Sequence, residues 1–291
     1  MFGIKKIIDS ITANSLVEVN DIVTVSKNTD SNKFICSQIM MANGPRKERV
    51  ENEIGEDCGG VISYYNKGYG WIIDGTSEEQ KIKIFSEEYN EYTQIFSSRY
   101  LAKLLSSTLQ ELLTPQSNIL WVFEEVLKEV QIILQKGVSN LHEPQKEKLK
   151  EIIKNGRVII SSVTFSLASL DFNMNANLIR IGDTNAFFLN DKGDLLPINK
   201  KDAASSRLTY NIKIIQDELS VRFTIPNFDS FTGENIKMIT HFSDGFSKNS
   251  KILFNALEDI KNLRDVKCEI LKYFEKTNDD KSINLISLNE S

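Results

Sequence analysis

"GYGWIIDGTSEE", residues 68–79, runs from two glycines through Trp71, Ile72 and Ile73 into Asp74 and Gly75, and then turns acidic. An Asp-Gly pair behind an apolar run is a common hairpin signal, so local reasoning makes Asp74 a turn residue. Working outward, "SLVEVNDIVTVS" and "KFICSQIMM" within 15–43 predict strands, and 44–57 reads as a polar, charged loop. "CGGVISYY" and "YGWIID" resume the strand pattern. Beyond residue 86 the period changes. "EEYNEYTQIFSSRYLAKLLSSTLQELL" and "NILWVFEEVLKEVQIILQKG", separated by Pro115, predict two long amphipathic helices in an antiparallel pair. Their apolar faces need a surface, and the outer face of a sheet supplies it. A charged stretch, "EPQKEKLKEIIKNG", leads to "RVIISSVTFSLASLDF", "ANLIRIGDTNAFFLN" and, after "DKGD", "LLPI", which read as consecutive strands of a meander. Residues 200–220 carry no decisive pattern. "LSVRFTI" and "IKMITHFSDG" then predict strands, "ILFNALEDIKNLRDVKCEILKYFEK" a helix, and "SINLISLN" a final strand. This order does not alternate as βαβ units do, so it predicts an α+β fold of antiparallel sheet with segregated helices in one domain.

The chain has 291 residues, 41% of them hydrophobic and 26% charged, as in ordinary globular proteins. Its net charge of −5, from 40 acidic and 35 basic residues, argues against a nucleic-acid partner, which needs a basic surface. Cys36, Cys58 and Cys268 are scattered with no CxxC pair, so neither a disulfide framework nor a zinc site is expected. The opening "MFGIKKIIDSI" places lysines after a short apolar stretch, unlike a signal peptide, and nothing approaches a membrane-spanning run. The expectation is a reduced, cytoplasmic protein without a membrane partner.

Acidic residues recur beside apolar strands in "GEDCGGVI", "WIIDG", "IRIGD", "ITHFSDG" and "NDDKSINLISL". Any one is explained by the turn preference of Asp. Five in one chain suggest otherwise, because antiparallel strands can bring their ends to one edge, where clustered carboxylates repel unless a cation neutralises them. Mg²⁺ or Mn²⁺ fits, being hard and satisfied by oxygen ligands alone. In Asp74-Gly75 and Asp244-Gly245 the missing side chain lets the Gly carbonyl approach the same ion.

In order and spacing, these pieces resemble the metal-dependent PP2C (PPM) family of serine/threonine protein phosphatases across roughly residues 30–288. "GEDCGG" stands where that family has an acidic Glu-Asp pair, "WIIDGTSEE" for its first Asp-Gly, and "LIRIGDTNAFFLNDKGDLLPI" for a Gly-Asp-Ser/Thr strand and hairpin. "MITHFSDGFSKN" matches its Ser-Asp-Gly and "DDKSINLISL" its terminal Asp motif. The resemblance implies a sandwich of two antiparallel β-sheets flanked by pairs of α-helices, spanning 1–291, with 1–30 a peripheral extension. It implies a monomeric phosphatase that hydrolyses phosphoserine or phosphothreonine in targets of a Ser/Thr kinase, by direct attack of a metal-bridging water. Asp74 would bridge two Mg²⁺ or Mn²⁺ ions, with the Gly75 carbonyl on one and Asp244 and Asp279 on the other. In this resemblance Asp74 and Asp244 would thereby act in catalysis through metal-bound water. Asp279 is preferred to Asp280 because Ser282 then takes the family's hydroxyl position three residues later. Glu56 would serve the ion bound by Gly75, with Asp57 close by, and Asp183 matches the position of a weaker third metal.

Two departures stand out. Asn52 occupies the position of a phosphate-gripping Arg, with Arg46, Lys47 and Arg49 slightly earlier, and Thr76 and Ser77 replace a His-Gly-Gly continuation. No histidine is therefore available there as general acid. His241 lies three residues before Asp244, on the opposite face of a regular strand, which predicts a structural role. His142 reads as a surface residue, Cys58 as a small buried side chain, and Trp121 and Phe123 as core. A PP2C-like regulatory or binding module is the alternative, supported by Asn52 and disfavoured by the retained carboxylates. "DGT" as a haloacid-dehalogenase-type motif fails because its nucleophile position is Ile72.

Overall fold

A computed structural model describes residues 15–19, 22–30, 33–42, 57–75, 98–156, 160–198, 206–243 and 281–288. Residues 44–56 of the expected loop, the helix expected at 252–276, and the candidate residues Asn52, Glu56, Asp244, Asp279 and Asp280 lie outside them.

Two antiparallel sheets form the centre. The first contains β1 (Ser15–Val19), β2 (Ile22–Asp30), β3 (Phe34–Ala42), β8 (Asn185–Asn190), β9 (Leu195–Ile198), β13 (Ile236–Phe242) and β14 (Lys281–Leu288), in the order β1-β2-β3-β14-β13-β8-β9. The second contains β4 (Cys58–Ser63), β5 (Lys67–Gly75), β6 (Ile160–Asp171), β7 (Ala176–Ile181), β10 (Leu208–Ile215), β11 (Glu218–Thr224) and β12 (Asp229–Gly233). Its main path is β11-β10-β6-β5-β4, with β7 paired to β6 and β12. Residues 15–30, where strands are expected, form β1 and β2 at the edge of the first sheet.

Period-two alternation sorts each strand between two cores. On the second sheet Tyr69, Trp71, Ile73, Val163, Phe165 and Leu167 face outward beneath the helices α1 (Ser98–Leu112) and α2 (Ile119–Ser139). Between the sheets, Phe34, Cys36, Val61, Ala168, Leu170, Leu178, Phe188, Ile239 and Ile286 form a second apolar cluster. The two helices are fixed by hydrogen bonds as well as burial. Trp71 Nε1 donates to Ser106 Oγ at 2.8 Å, and the Tyr69 hydroxyl donates to the Thr114 carbonyl at 2.8 Å. Over α1 and α2 the helix pair on an outer sheet face is as the sequence predicts, while residues 87–97, expected as the start of the first helix, lie outside the described residues. Among the described residues, no helix is long and apolar enough to cross a membrane.

Three local expectations need correction, and one strand arises where none was expected. "EPQKEKLKEIIKNG" is not merely a charged connection but carries helix α3 (Glu143–Lys154). It buries only Leu149 fully, and its i,i+3 pairs Lys146–Glu143 and Lys150–Glu147 line the exposed side, so its apolar stripe is too narrow to stand out. The supposed meander breaks at Gly182, whose φ of +97° suits glycine, and the chain leaves β7 in one sheet for β8 in the other. "DSFTG" forms β12 at the edge beside β7, although its composition gives no strand signal. Trp121 is 53% exposed rather than core, whereas Phe123 is buried, because the inward stripe of α2 passes through Ile119, Val122, Phe123 and Val126.

Gly60 shows how tightly the second sheet is built. A β-carbon there would collide with the indole ring of buried Trp71. Gly60→Ala is expected to cost about 3 kcal/mol, the upper part of the overpacking range, as a lowered urea midpoint. An unchanged midpoint would show that the indole can move aside.

Candidate functional site

Strand register brings the acidic ends together. Cys58 pairs with Ile73, so Asp57, immediately before β4, approaches the sheet where Asp74, near the end of β5, leaves it. Asp74 lies opposite Thr164 and Gly75 opposite Val163 on β6. Alternation places Asp74 on the same face as Gly68 and Gly70, toward the first sheet: a β-carbon on Gly68 would meet Cys36 and Ile286 there, and one on Gly70 would meet His241 and Asn284.

The first sheet answers from the same end. Ser282 Oγ on β14 donates to Asp57 Oδ2 at 2.7 Å, across 225 positions of sequence. Ser282 is also clasped to Ser243, at the end of β13: Ser243 N donates to the Ser282 carbonyl at 2.9 Å, and Ser282 N donates to Ser243 Oγ at 2.9 Å. Asp57, Ser243 and Ser282 are all buried. Asp57 therefore has one carboxylate oxygen committed to a hydroxyl, which holds its orientation in a buried setting. Of the expected site residues, Asp57, Asp74, Gly75 and Asp183 are described, while Glu56, Asp244 and Asp279 are not. Among the described residues, no group of three or more His, Cys, Asp or Glu forms a metal cluster.

Asp183 sits in the turn after β7. Its neighbour Gly182 packs against Thr164, the register partner of Asp74, so the turn reaches the same end of the sandwich. Asp183 Oδ2 accepts from Arg207 Nη2 at 3.0 Å. Behind this turn, buried Arg180 donates from Nη2 to Asp229 at 2.8 Å and from Nη1 to the Thr184 and Ile198 carbonyls, bracing the crossover between sheets.

Deeper between the sheets lies a polar layer. His241 Nδ1 is 2.6 Å from Ser166 Oγ, and Asn284 Nδ2 donates to the Trp71 and Gly60 carbonyls at 2.8 and 3.2 Å. Burial pushes the His241 pKa down to about 3, so its imidazole is neutral and holds no proton to give as an imidazolium at neutral pH. The structural role expected for His241 agrees with this placement. Asn284 and Arg207 have no role in the sequence reading, and Ser243 enters it only as the first residue of the Ser-Asp-Gly piece. Asn284 had a signal, since Ser282, Asn284 and Ile286 share one phase of the strand alternation; Arg207 had none.

No family model matches the sequence, and no curated protein matches it either. Solved structures do match. RsbX in complex with magnesium has a TM-score of 0.53 at 11% identity, covering 91% of this chain and 100% of that one. A point mutant of a bacterial serine phosphatase has 0.53 at 13% identity, covering 87% and 98%. Serine/threonine phosphatase Stp1 from Staphylococcus aureus has 0.51 at 11% identity, covering 87% and 94%. The chain therefore has the α+β sandwich fold of PP2C-type serine/threonine phosphatases, as the motif order anticipated. At such identities the likeness is one of fold alone.

Proposed function

We propose that this chain is a Mg²⁺- or Mn²⁺-dependent phosphatase acting on phosphoserine or phosphothreonine in proteins. The observation that carries the reading is the Asp57–Ser282–Ser243 clasp, which ties three of the acidic-motif segments to the sandwich end where β5 delivers Asp74 and Gly75. The donor set is all oxygen, which suits a hard divalent cation. Asp74 and the Gly75 carbonyl would hold the ions, together with Glu56, Asp244 and Asp279 of the same chain. When bound, a divalent pair supplies an activated water and charge neutralisation for the transferring phosphoryl group. The chain's own residues do the positioning. Ser282 fixes the Asp57 carboxylate, the β5–β6 register fixes Asp74 beside Thr164, and the two-sheet core keeps both from drifting apart as like charges would. The substrate would be a phosphorylated protein, the target of a Ser/Thr kinase, and the negative net charge favours no nucleic-acid role.

The test is hydrolysis of p-nitrophenyl phosphate and of a phosphoserine peptide by the purified chain, with Mn²⁺ and with a chelator. Metal-dependent turnover of both is expected. No turnover together with no Mn²⁺ binding in calorimetry would overturn the reading in favour of a non-catalytic module.

A further inference from the structure

Asp183 already has a cation supplied by the chain itself. Arg207 Nη2 lies 3.0 Å from Asp183 Oδ2, with both side chains partly shielded from solvent. The guanidinium is anchored from its other side, where Nη1 donates to the Ser206 carbonyl at 2.9 Å. Gly182 makes the room: a β-carbon there would stand 3.3 Å from Arg207 Nη1 and 2.8 Å from the Thr164 side chain. The positive group is thus seated in a notch beside the residue that pairs with Asp74. The planar guanidinium fork matches a carboxylate, which holds the positive group against Asp183.

Resting on the metal-dependent reading above, we propose that Arg207 takes the place of a metal ion at Asp183, so that the chain binds two divalent cations rather than three. A carboxylate balanced by a fixed guanidinium attracts a divalent ion weakly, and an ion arriving there would also meet the positive charge of Arg207. The site would be latent rather than absent. Asp183 Oδ1 is buried and has no hydrogen-bond partner among the described residues, so an oxygen ligand is waiting if the guanidinium is removed.

Calorimetric titration with Mn²⁺ tests this without reference to turnover. The wild-type chain should bind two ions, and Arg207→Gln, which removes the charge but keeps hydrogen-bonding capacity, should bind one more. Arg207→Lys should remain at two, and adding Asp183→Asn to Arg207→Gln should abolish the gained ion while the original two persist. Thermal melts of the metal-free variants verify folding. Two ions in both wild type and Arg207→Gln would overturn the inference alone, as would a third wild-type ion that Asp183→Asn removes. A gained ion that survives Asp183→Asn would also overturn it. A wild-type chain that binds no Mn²⁺ would overturn both this inference and the metal-dependent reading.

Discussion

Asp74→Asn is expected to leave a folded chain whose Mn²⁺-dependent phosphatase activity is lower by about 10³-fold, because Lewis-acid stabilisation contributes several kcal/mol and each 1.4 kcal/mol or so is tenfold. The substitution is isosteric, and Asp74 is the second-to-last residue of β5, half-buried and outside both apolar clusters, so no packing is lost. The backbone pairing of Asp74 with Thr164 is untouched by a change in the side-chain head. Removing one negative charge beside buried Asp57 also relieves repulsion in the metal-free protein. The metal-free variant should therefore melt at the wild-type temperature or slightly above it. Saturating Mn²⁺ should raise the wild-type melting temperature by mass action and leave that of Asp74→Asn nearly unmoved. Wild-type kcat/KM in a folded Asp74→Asn protein would remove Asp74 from the chemistry and with it the metal-dependent mechanism.

The parts of this molecule that were legible in the sequence share one physical property, a strong periodic signal. β5 and β6 have apolar residues on both faces because each is covered twice, and α1 and α2 bury a broad stripe on the second sheet. Helix α3 gives a weak signal because its apolar stripe is confined to Leu149, Ile152 and Ile153 amid charged residues, and β12 because its more buried positions are Asp229, Phe231 and Gly233, of which one is apolar. The crossover at Gly182 was hidden for a different reason. A glycine between two apolar runs reads equally as a strand bulge or as a change of sheet, and the decision rests on Arg180, whose bonds span residues 180–229. At the site, the Asp-Gly and Ser-Asp-Gly pieces could be read locally, but the Asp57–Ser282 bond could not, since it joins opposite ends of the chain. Arg207 lay in the stretch with no pattern at all, and its meaning comes only from standing next to Asp183.

Acid should weaken this fold well before its carboxylates titrate, through His241. The side chain is fully buried between the sheets, and the groups around it, Ser166, Asn284 and Gly70, are uncharged. Burial lowers its folded pKa to about 3, against 6.5 for the free group, so the unfolded state binds a proton that the folded state refuses. Stability is then fully present above the unfolded value and is lost as pH falls between the two, at a limiting slope of about 1.4 kcal/mol per pH unit. From pH 7 to pH 5 the loss amounts to about 2 kcal/mol, in a window where ordinary carboxylates remain ionised. His241→Gln can keep a hydrogen bond to Ser166 but cannot titrate, so its stability should stay level over the same interval even if it starts lower. Urea melts of the two proteins at pH 7, 6 and 5 decide the matter. Parallel losses in both would mean that the acid sensitivity lies elsewhere. A flat His241→Gln profile would locate it in the polar layer directly behind Ser282 and Asp57, making the neutral imidazole part of what keeps the two sheets, and hence their acidic ends, in register.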